Sequence, residues 1–171
     1  MSRKTIAAVL IVKNEEAMLA RCLESVKDAD AIYVLDTGSK DRTVEIARQF
    51  TENVFLDFVW TDSFCDAQNW IKSKVKEDWI LSIDADEQLI CPWSNVQEAA
   101  ELGKDMVRVV MVAEGSIPNT FGFGRLFRNT PDIFWCQPIH KHLNVPGEGE
   151  EVGNVSIMYG YSPAHELDKD R

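Results

Sequence analysis

Long hydrophobic runs are missing from this 171-residue chain. The longest early one covers residues 6–12 and stops at Lys13-Asn14-Glu15-Glu16, whereas a membrane-spanning helix needs roughly 20 apolar residues. Arg3 and Lys4 imitate the basic start of a signal peptide, but no small-residue cleavage site follows. Cysteine is sparse and dispersed. Cys22, Cys65, Cys91 and Cys136 form no Cys-x-x-Cys pair, which argues against a zinc site or a disulfide framework. Reduced thiols serving mainly as packing residues, in a cytoplasmic protein, are the expectation. Basic residues are in the minority, 18 Lys and Arg against 28 Asp and Glu, for a net charge of −10. Such a chain repels phosphate backbones and anionic lipid, so general nucleic-acid or membrane-surface binding is not expected. There is no internal repeat and no low-complexity tract. Hydrophobic residues at 45% and charged residues at 27% fit a folded domain and exclude a disordered chain. The length suits one domain.

What is present is an alternation of strand-like and helix-like segments. Residues 5–12 form a continuous apolar run, as in a parallel strand buried on both faces. From Glu15 the period changes: Met18, Leu19, Cys22, Leu23 and Val26 recur at helical spacing. Residues 31–35 predict a second buried strand, ending at Asp36-Thr37-Gly38-Ser39, and residues 43–50 a helix. A short strand over 54–56 precedes a helix opened by the capping signature Ser63-Phe64-Cys65-Asp66. A strand over 79–83 ends at Asp84-Ala85-Asp86-Glu87. A helix over 95–102 and strands over 106–112 and 122–128 follow; the Pro- and Gly-dense remainder is expected to be mostly loop. Strand–helix–strand repetition implies an α/β fold with a mostly parallel sheet and helices on both faces. Ligands bind such sheets at the carboxyl ends of the strands. That rule gathers Asn14 and Glu15, Asp36 and Thr37, and Asp84 to Asp86 on one edge.

An Asp-x-Asp spacing alone carries little, since Asp28/Asp30 and Asp168/Asp170 share it. The Asp84/Asp86 pair differs in closing a hydrophobic strand, where alternation would put both on one side and an isolated carboxylate would be costly. Two hard oxygen ligands there suit Mg2+ or Mn2+; two solvated turn aspartates are the plainer alternative. Asp36 could accept hydrogen bonds from a ribose or base, or cap the helix that follows. Asn14 and Glu15 could meet the same ligand, or simply open the first helix at its positive end.

The segments 11–16, 34–43 and 79–87 (Ile-Val-Lys-Asn-Glu-Glu, Val-Leu-Asp-Thr-Gly-Ser-Lys-Asp-Arg-Thr and Trp-Ile-Leu-Ser-Ile-Asp-Ala-Asp-Glu) together resemble family-2 glycosyltransferases. The likeness is greatest to the branch of lipopolysaccharide-core beta-glucosyltransferases and peptide glycosyltransferases. It runs from Thr5 to Glu87 and continues through Gly124-Arg-Leu-Phe-Arg128, Ile139-His140 and Tyr159-Gly-Tyr161. The resemblance implies a GT-A fold over residues 1–171, with 1–90 as the nucleotide-binding half and 91–171 as a shortened acceptor-side half. It implies an inverting transfer of a hexose, glucose foremost, from a nucleotide-diphosphate sugar, UDP-linked above all, to a glycan, peptide or small-molecule acceptor, with Mn2+ or Mg2+ as cofactor. Val12, Asn14, Glu15, Asp36 and Thr37 would then line the nucleoside pocket. Gln68 and Asn69 would approach from the third helix, Asp84 and Ala85 would face the nucleotide, and Asp84 and Asp86 would hold the metal.

The chain departs from that pattern in places. Gln68 stands where the family usually has Arg, His140-Lys141 where it has His-Glu, and Met158 where a histidine is common. An inverting transferase needs a base for the acceptor proton. His140, Glu114 and Asp132 are the candidates, with His140 also considered as a metal ligand. Trp135 is the tryptophan best placed to stack on an acceptor sugar; Trp60, Trp70, Trp79 and Trp93 are expected to pack. A nucleotide-sugar-binding module without transfer is the main rival. A nucleotidyltransferase is disfavoured, because Lys13-Asn14-Glu15-Glu16 lacks the glycine-rich loop that such enzymes place after the first strand.

Overall fold

Val, Ile, Leu and Ala fill residues 6–12 without polar interruption, and the segment forms β1 (Ile6–Val12) within an eight-stranded sheet. Parallel neighbours flank it: β2 (Ala31–Asp36) on one side and β4 (Trp79–Ser82) on the other, with β3 (Val54–Phe55) beyond β2. The computed structural model describes residues 3–113, 119–136, 142–147 and 149–160. Alternation along β1 feeds two cores. Ile6, Ala8, Leu10 and Val12 join one with Leu19, Cys22 and Leu23 of α1 (Leu19–Ser25), Ala47 of α2 (Thr43–Ala47) and Val96 of α4 (Trp93–Ala100). Ala7 and Val9 join the other with Cys65, Ala67 and Ile71 of α3 (Phe64–Lys72). Burying each large aliphatic side chain contributes about 1.5–3 kcal/mol, so the strand is fixed from both faces. α3 starts as its signature requires, with the Ser63 hydroxyl accepting from the Asp66 amide at 3.2 Å.

The sheet continues through the second half of the chain in the order β3-β2-β1-β4-β7-β6-β10-β5. β6 (Met106–Ala113) runs antiparallel to β7 (Asn119–Arg128) and parallel to β10 (Glu150–Tyr159), and β5 (Glu87–Leu89) closes the edge antiparallel to β10. A separate two-stranded ribbon joins β8 (Phe134–Cys136) and β9 (His142–Asn144). The expectation of a mostly looped remainder is thus corrected. Val155 and Ile157 alternate as buried residues with the partly exposed Ser156 and Met158, a period-2 signal hidden by the surrounding glycines. The mostly parallel α/β arrangement with helices on both faces is as expected. No helix among the described residues is long and apolar enough to cross a membrane.

At the opposite edge from the strand ends, Thr5 and Asp78 lock β1 to β4. Asp78 Oδ2 accepts from the Thr5 amide at 2.9 Å and the Thr5 hydroxyl at 3.0 Å, while the Asp78 amide donates to that hydroxyl oxygen at 3.0 Å. The Thr5 amide and hydroxyl hold the Asp78 carboxyl below its ordinary value. A carboxylate depressed by folding adds stability that is complete above its unfolded pKa and lost as pH falls through the folded one. Asp78→Asn is therefore expected to cost about 1 kcal/mol near neutral pH. Urea midpoints of the two proteins should converge as the medium is acidified below the ordinary carboxylate range; a gap independent of pH would contradict this.

Candidate active site

Two loops at the carboxyl edge are stitched together by side chains. Thr37 donates to the Val12 carbonyl from its amide at 3.0 Å and from its hydroxyl at 3.2 Å. Asn14 sits at φ 56°, in the left-handed region that asparagine tolerates. From there its Oδ1 accepts from the Lys40 amide and its amide donates to Ser39 Oγ, each at 2.8 Å. The Glu15 amide reaches Thr43 Oγ1 at 2.7 Å. Residues 13–16 are bent against residues 37–43 by these bonds, which is why α1 starts at Leu19 rather than at Glu15. Asp36 is 5% exposed. Its Oδ1 accepts from the Gly38 and Ser39 amides at 2.9 Å, and its Oδ2 from the Ser39 hydroxyl. Gly38 turns at φ 108°, open to glycine alone at low cost. These bonds brace the loop 36–39 rather than cap α2, which starts at Thr43 without a side-chain cap.

The acidic segment lies beyond the end of β4 and is a turn. β4 stops at Ser82, so a four-residue turn and not strand alternation places Asp84 and Asp86. The Glu87 amide donates to the Asp84 carbonyl at 3.0 Å, and Glu87 Oε2 accepts from the Asp84 amide at 2.8 Å. Ala85 is buried, while Asp84 and Asp86 are partly exposed. Arg125 of β7 bridges Asp84 Oδ2, at 3.1 Å, and Glu87 Oε1. Its guanidinium stays charged in spite of burial because Asp84 and Glu87 flank it. Glu87 is 4% exposed. Burial pushes its carboxyl up to about 7, against the pull of Arg125 and with a further push from Asp84. Underneath, Cys22 donates to the Asp84 carbonyl at 3.3 Å. Burial and the three carboxylates hold its thiol well above the ordinary range, so it acts as a neutral donor.

The donor set suits a hard divalent cation. Asp84 and Asp86 are the partly exposed carboxylates of the turn, while Glu87 is buried against Arg125. Among the described residues no three His, Cys, Asp or Glu side chains converge as a ready cage. Mg2+-type sites combine one or two carboxylates with water and substrate phosphates.

Val12, Asn14, Glu15, Asp36, Thr37, Asp84, Ala85 and Asp86 are thus gathered at one sheet edge, because β1 pairs in parallel with both β2 and β4. Gln68 and Asn69 lie on α3. Gln68 is 4% exposed, and Asn69 clamps β8, its Nδ2 donating to the Trp135 carbonyl at 2.8 Å and its Oδ1 accepting from the Trp135 amide at 2.9 Å. Trp135 is corrected from sugar platform to core residue: it is 7% exposed and meets Phe127 edge-to-face at 5.9 Å. Trp60, expected to pack, is instead 38% exposed beside Phe64. Glu114 and His140, with Lys141, lie outside the described residues; Asp132 is exposed on the turn before β8. Sequence reasoning missed Arg125 and Glu87 as supports of the acidic turn. An arginine inside the apolar segment 122–128 was the available signal, since a charge in a buried strand requires a partner.

The Glycosyl transferase family 2 model matches residues 7–146. A TPR repeat-containing protein of Synechococcus elongatus is 38% identical over 141 residues, covering 80% of this chain and 34% of that protein. An uncharacterized glycosyltransferase of Rickettsia bellii is 42% identical over 91 residues, 50% of this chain and 29% of the relative. The chain thus spans about a third of the length of these relatives. Among solved structures, S. aureus TarS 1–349 in complex with UDP superposes with a TM-score of 0.67 at 13% identity, over 96% of this chain and 62% of that one. Glucosyl-3-phosphoglycerate synthase from Mycobacterium tuberculosis, in complex with Mn2+ and UDP-glucose, gives 0.52 at 24% identity, over 63% of this chain and 44% of that one. Both share the GT-A type of α/β fold described above.

Proposed function

The chain belongs to glycosyl transferase family 2, and from that premise we propose that it moves a hexose, glucose foremost, from UDP to an acceptor hydroxyl with inversion at the anomeric carbon. The observation that carries the reading is the meeting, at one strand-end edge, of the acidic turn 84–87 with the stitched loops after β1 and β2. The relatives lend it chemistry: TarS is crystallised with UDP, and glucosyl-3-phosphoglycerate synthase with Mn2+ and UDP-glucose. In this proposal Val12, Asn14, Glu15, Asp36 and Thr37 form the wall for the nucleoside, with Asp36 acting through the loop it braces. Gln68 and Asn69 support that wall through α3. Asp84 and Asp86 hold Mn2+ or Mg2+, and Arg125 with Glu87 keeps Asp84 in place. The bound cation supplies charge stabilisation to the leaving diphosphate. As the acceptor oxygen attacks, the bond between sugar and phosphate breaks and the acceptor proton passes to a base, the role for which His140 and Glu114 were considered. Residues 1–90 carry the nucleotide and 91–171 face the acceptor.

Lys141, in place of the family's usual glutamate, favours one rival, a nucleotide-sugar-binding module with reduced or lost transfer. A panel of nucleotide sugars separates the two. Release of UDP from one donor, stopped by EDTA and restored by Mn2+, is the expected result. Calorimetric UDP binding without turnover of any donor would favour the rival, and absence of both would reject the family's chemistry for this chain.

A further inference from the structure

Between β3 and α3 the chain presents apolar side chains that neither core takes up. Val59 is 81% exposed, Phe64 51% and Trp60 38%. The two rings end a series of aromatic contacts that begins in the interior. Trp70 meets Phe55 and Phe58, each at 5.7 Å; Phe58 meets Trp60 at 6.5 Å, and Trp60 meets Phe64 at 5.0 Å. Lys74 Nζ covers the Trp70 ring at 4.4 Å, whereas Trp60 and Phe64 stay open to solvent. The indole is also fixed at its polar end, its Nε1 donating to Asp62 Oδ1 at 2.9 Å. Asp57, Asp62 and Asp66 are exposed on the same segment, and residues 53–71 contain no Lys or Arg. β3 runs parallel to β2 and ends at Phe55, and α3 crosses the Ala7 and Val9 face back toward the start of β4. Residues 56–64 therefore leave the sheet at its carboxyl edge, the edge that carries the acidic turn.

We propose that Trp60 and Phe64 form a platform for a neutral sugar residue of the acceptor, which makes that acceptor a glycan; this rests on the transfer reading above. A pyranose ring has an apolar C–H face that gains from leaving water against an aromatic ring. Its rim of hydroxyls donates to carboxylates, which only accept. Other occupants fit less well. Anionic lipid or a phosphate backbone meets three carboxylates with no base among them. A two-fold contact between copies of the chain would set the same carboxylates against each other. A basic peptide would satisfy the charge, but the place at the edge of sugar transfer favours the saccharide.

The test follows the indole N–H NMR signals of the folded full chain, with the Trp60 signal assigned by its loss in Trp60→Phe. Cellohexaose, maltohexaose and chitohexaose are added in turn, without UDP. At least one is expected to shift the Trp60 signal while that of the buried Trp135 stays in place. Trp60→Ala and Phe64→Ala should each weaken that sugar about tenfold by calorimetry. Asp62→Asn keeps the left-handed backbone and an acceptor for the indole, and should weaken it severalfold by removing the charge. A Trp60 signal unmoved by all three sugars overturns the proposal, as does one moved by hexalysine alone. A concentration-dependent dimer in sedimentation that Trp60→Ala abolishes gives the face to a second copy and overturns it too. Calorimetry of UDP with Mn2+ on the same protein separates the two readings. UDP binding without any sugar shift defeats the platform alone; a sugar shift without UDP binding overturns its assignment to an acceptor.

Discussion

Asp86→Ala is expected to remove the metal-dependent part of UDP binding, lowering affinity in Mn2+ on the order of 10²-fold or more, while the fold persists. The turn that carries Asp86 is held by groups the substitution leaves alone. Glu87 grips the Asp84 amide, the Glu87 amide meets the Asp84 carbonyl, and the Gly160 amide reaches the Asp86 carbonyl at 3.2 Å. Ala85, buried at the turn's centre, stays as it is. What goes is one of the two partly exposed carboxylates of the turn. One carboxylate with water and diphosphate is a poor site for an ion that dehydrates reluctantly. Calorimetry of UDP with and without EDTA reads the effect directly. The unsubstituted protein should lose affinity on chelation and the variant should not. Metal-independent binding of equal strength in both would remove the cation from the acidic turn. Asp36→Ala is the informative contrast, because it loosens the 36–39 loop and should weaken binding of uridine, which has no phosphates, without altering the effect of EDTA.

What the sequence disclosed, and what it hid, follows from the range of the interactions involved. β1, β2 and β4 were legible because strands buried on both faces need unbroken apolar runs. Once these strands are parallel, their ends must share an edge, so Asn14, Asp36 and Asp84 could be grouped without coordinates. The start of α1 was misplaced because helical periodicity near Glu15 competes with hydrogen bonds that the Asn14 and Glu15 amides donate to Ser39 and Thr43, which no local pattern reveals. Trp135 was misread for a similar reason: a loop-rich neighbourhood suggests exposure, yet Asn69, 66 residues away, fixes its backbone. β10 was missed because its buried alternation is short and lies among glycines. Arg125 meets Glu87 across 38 residues of sequence, so a pairing essential to the acidic turn left only a single-residue trace.

That pairing carries the largest expected stability effect at the site. Arg125→Met should destabilise the protein by about 3–5 kcal/mol, the usual cost of leaving one member of a buried ion pair without the other. The Arg125 and Glu87 side chains are 13% and 5% exposed, so water cannot take over the lost contact. The loss would also release Asp84, whose Oδ2 rests on the same guanidinium. Glu87→Gln should cost less than Arg125→Met, because an amide oxygen can still accept from the Asp84 amide and no uncompensated carboxylate is buried. In the double variant the charge conflict disappears. Its loss should therefore fall well short of the sum of the two single losses, with a coupling of about 1–3 kcal/mol. Urea unfolding of the four proteins completes the cycle. Additive losses would show that Arg125 and Glu87 act separately. Strong coupling would identify the Arg125 guanidinium, whose Nη2 donates to both Asp84 Oδ2 and Glu87 Oε1, as the group that holds the turn together.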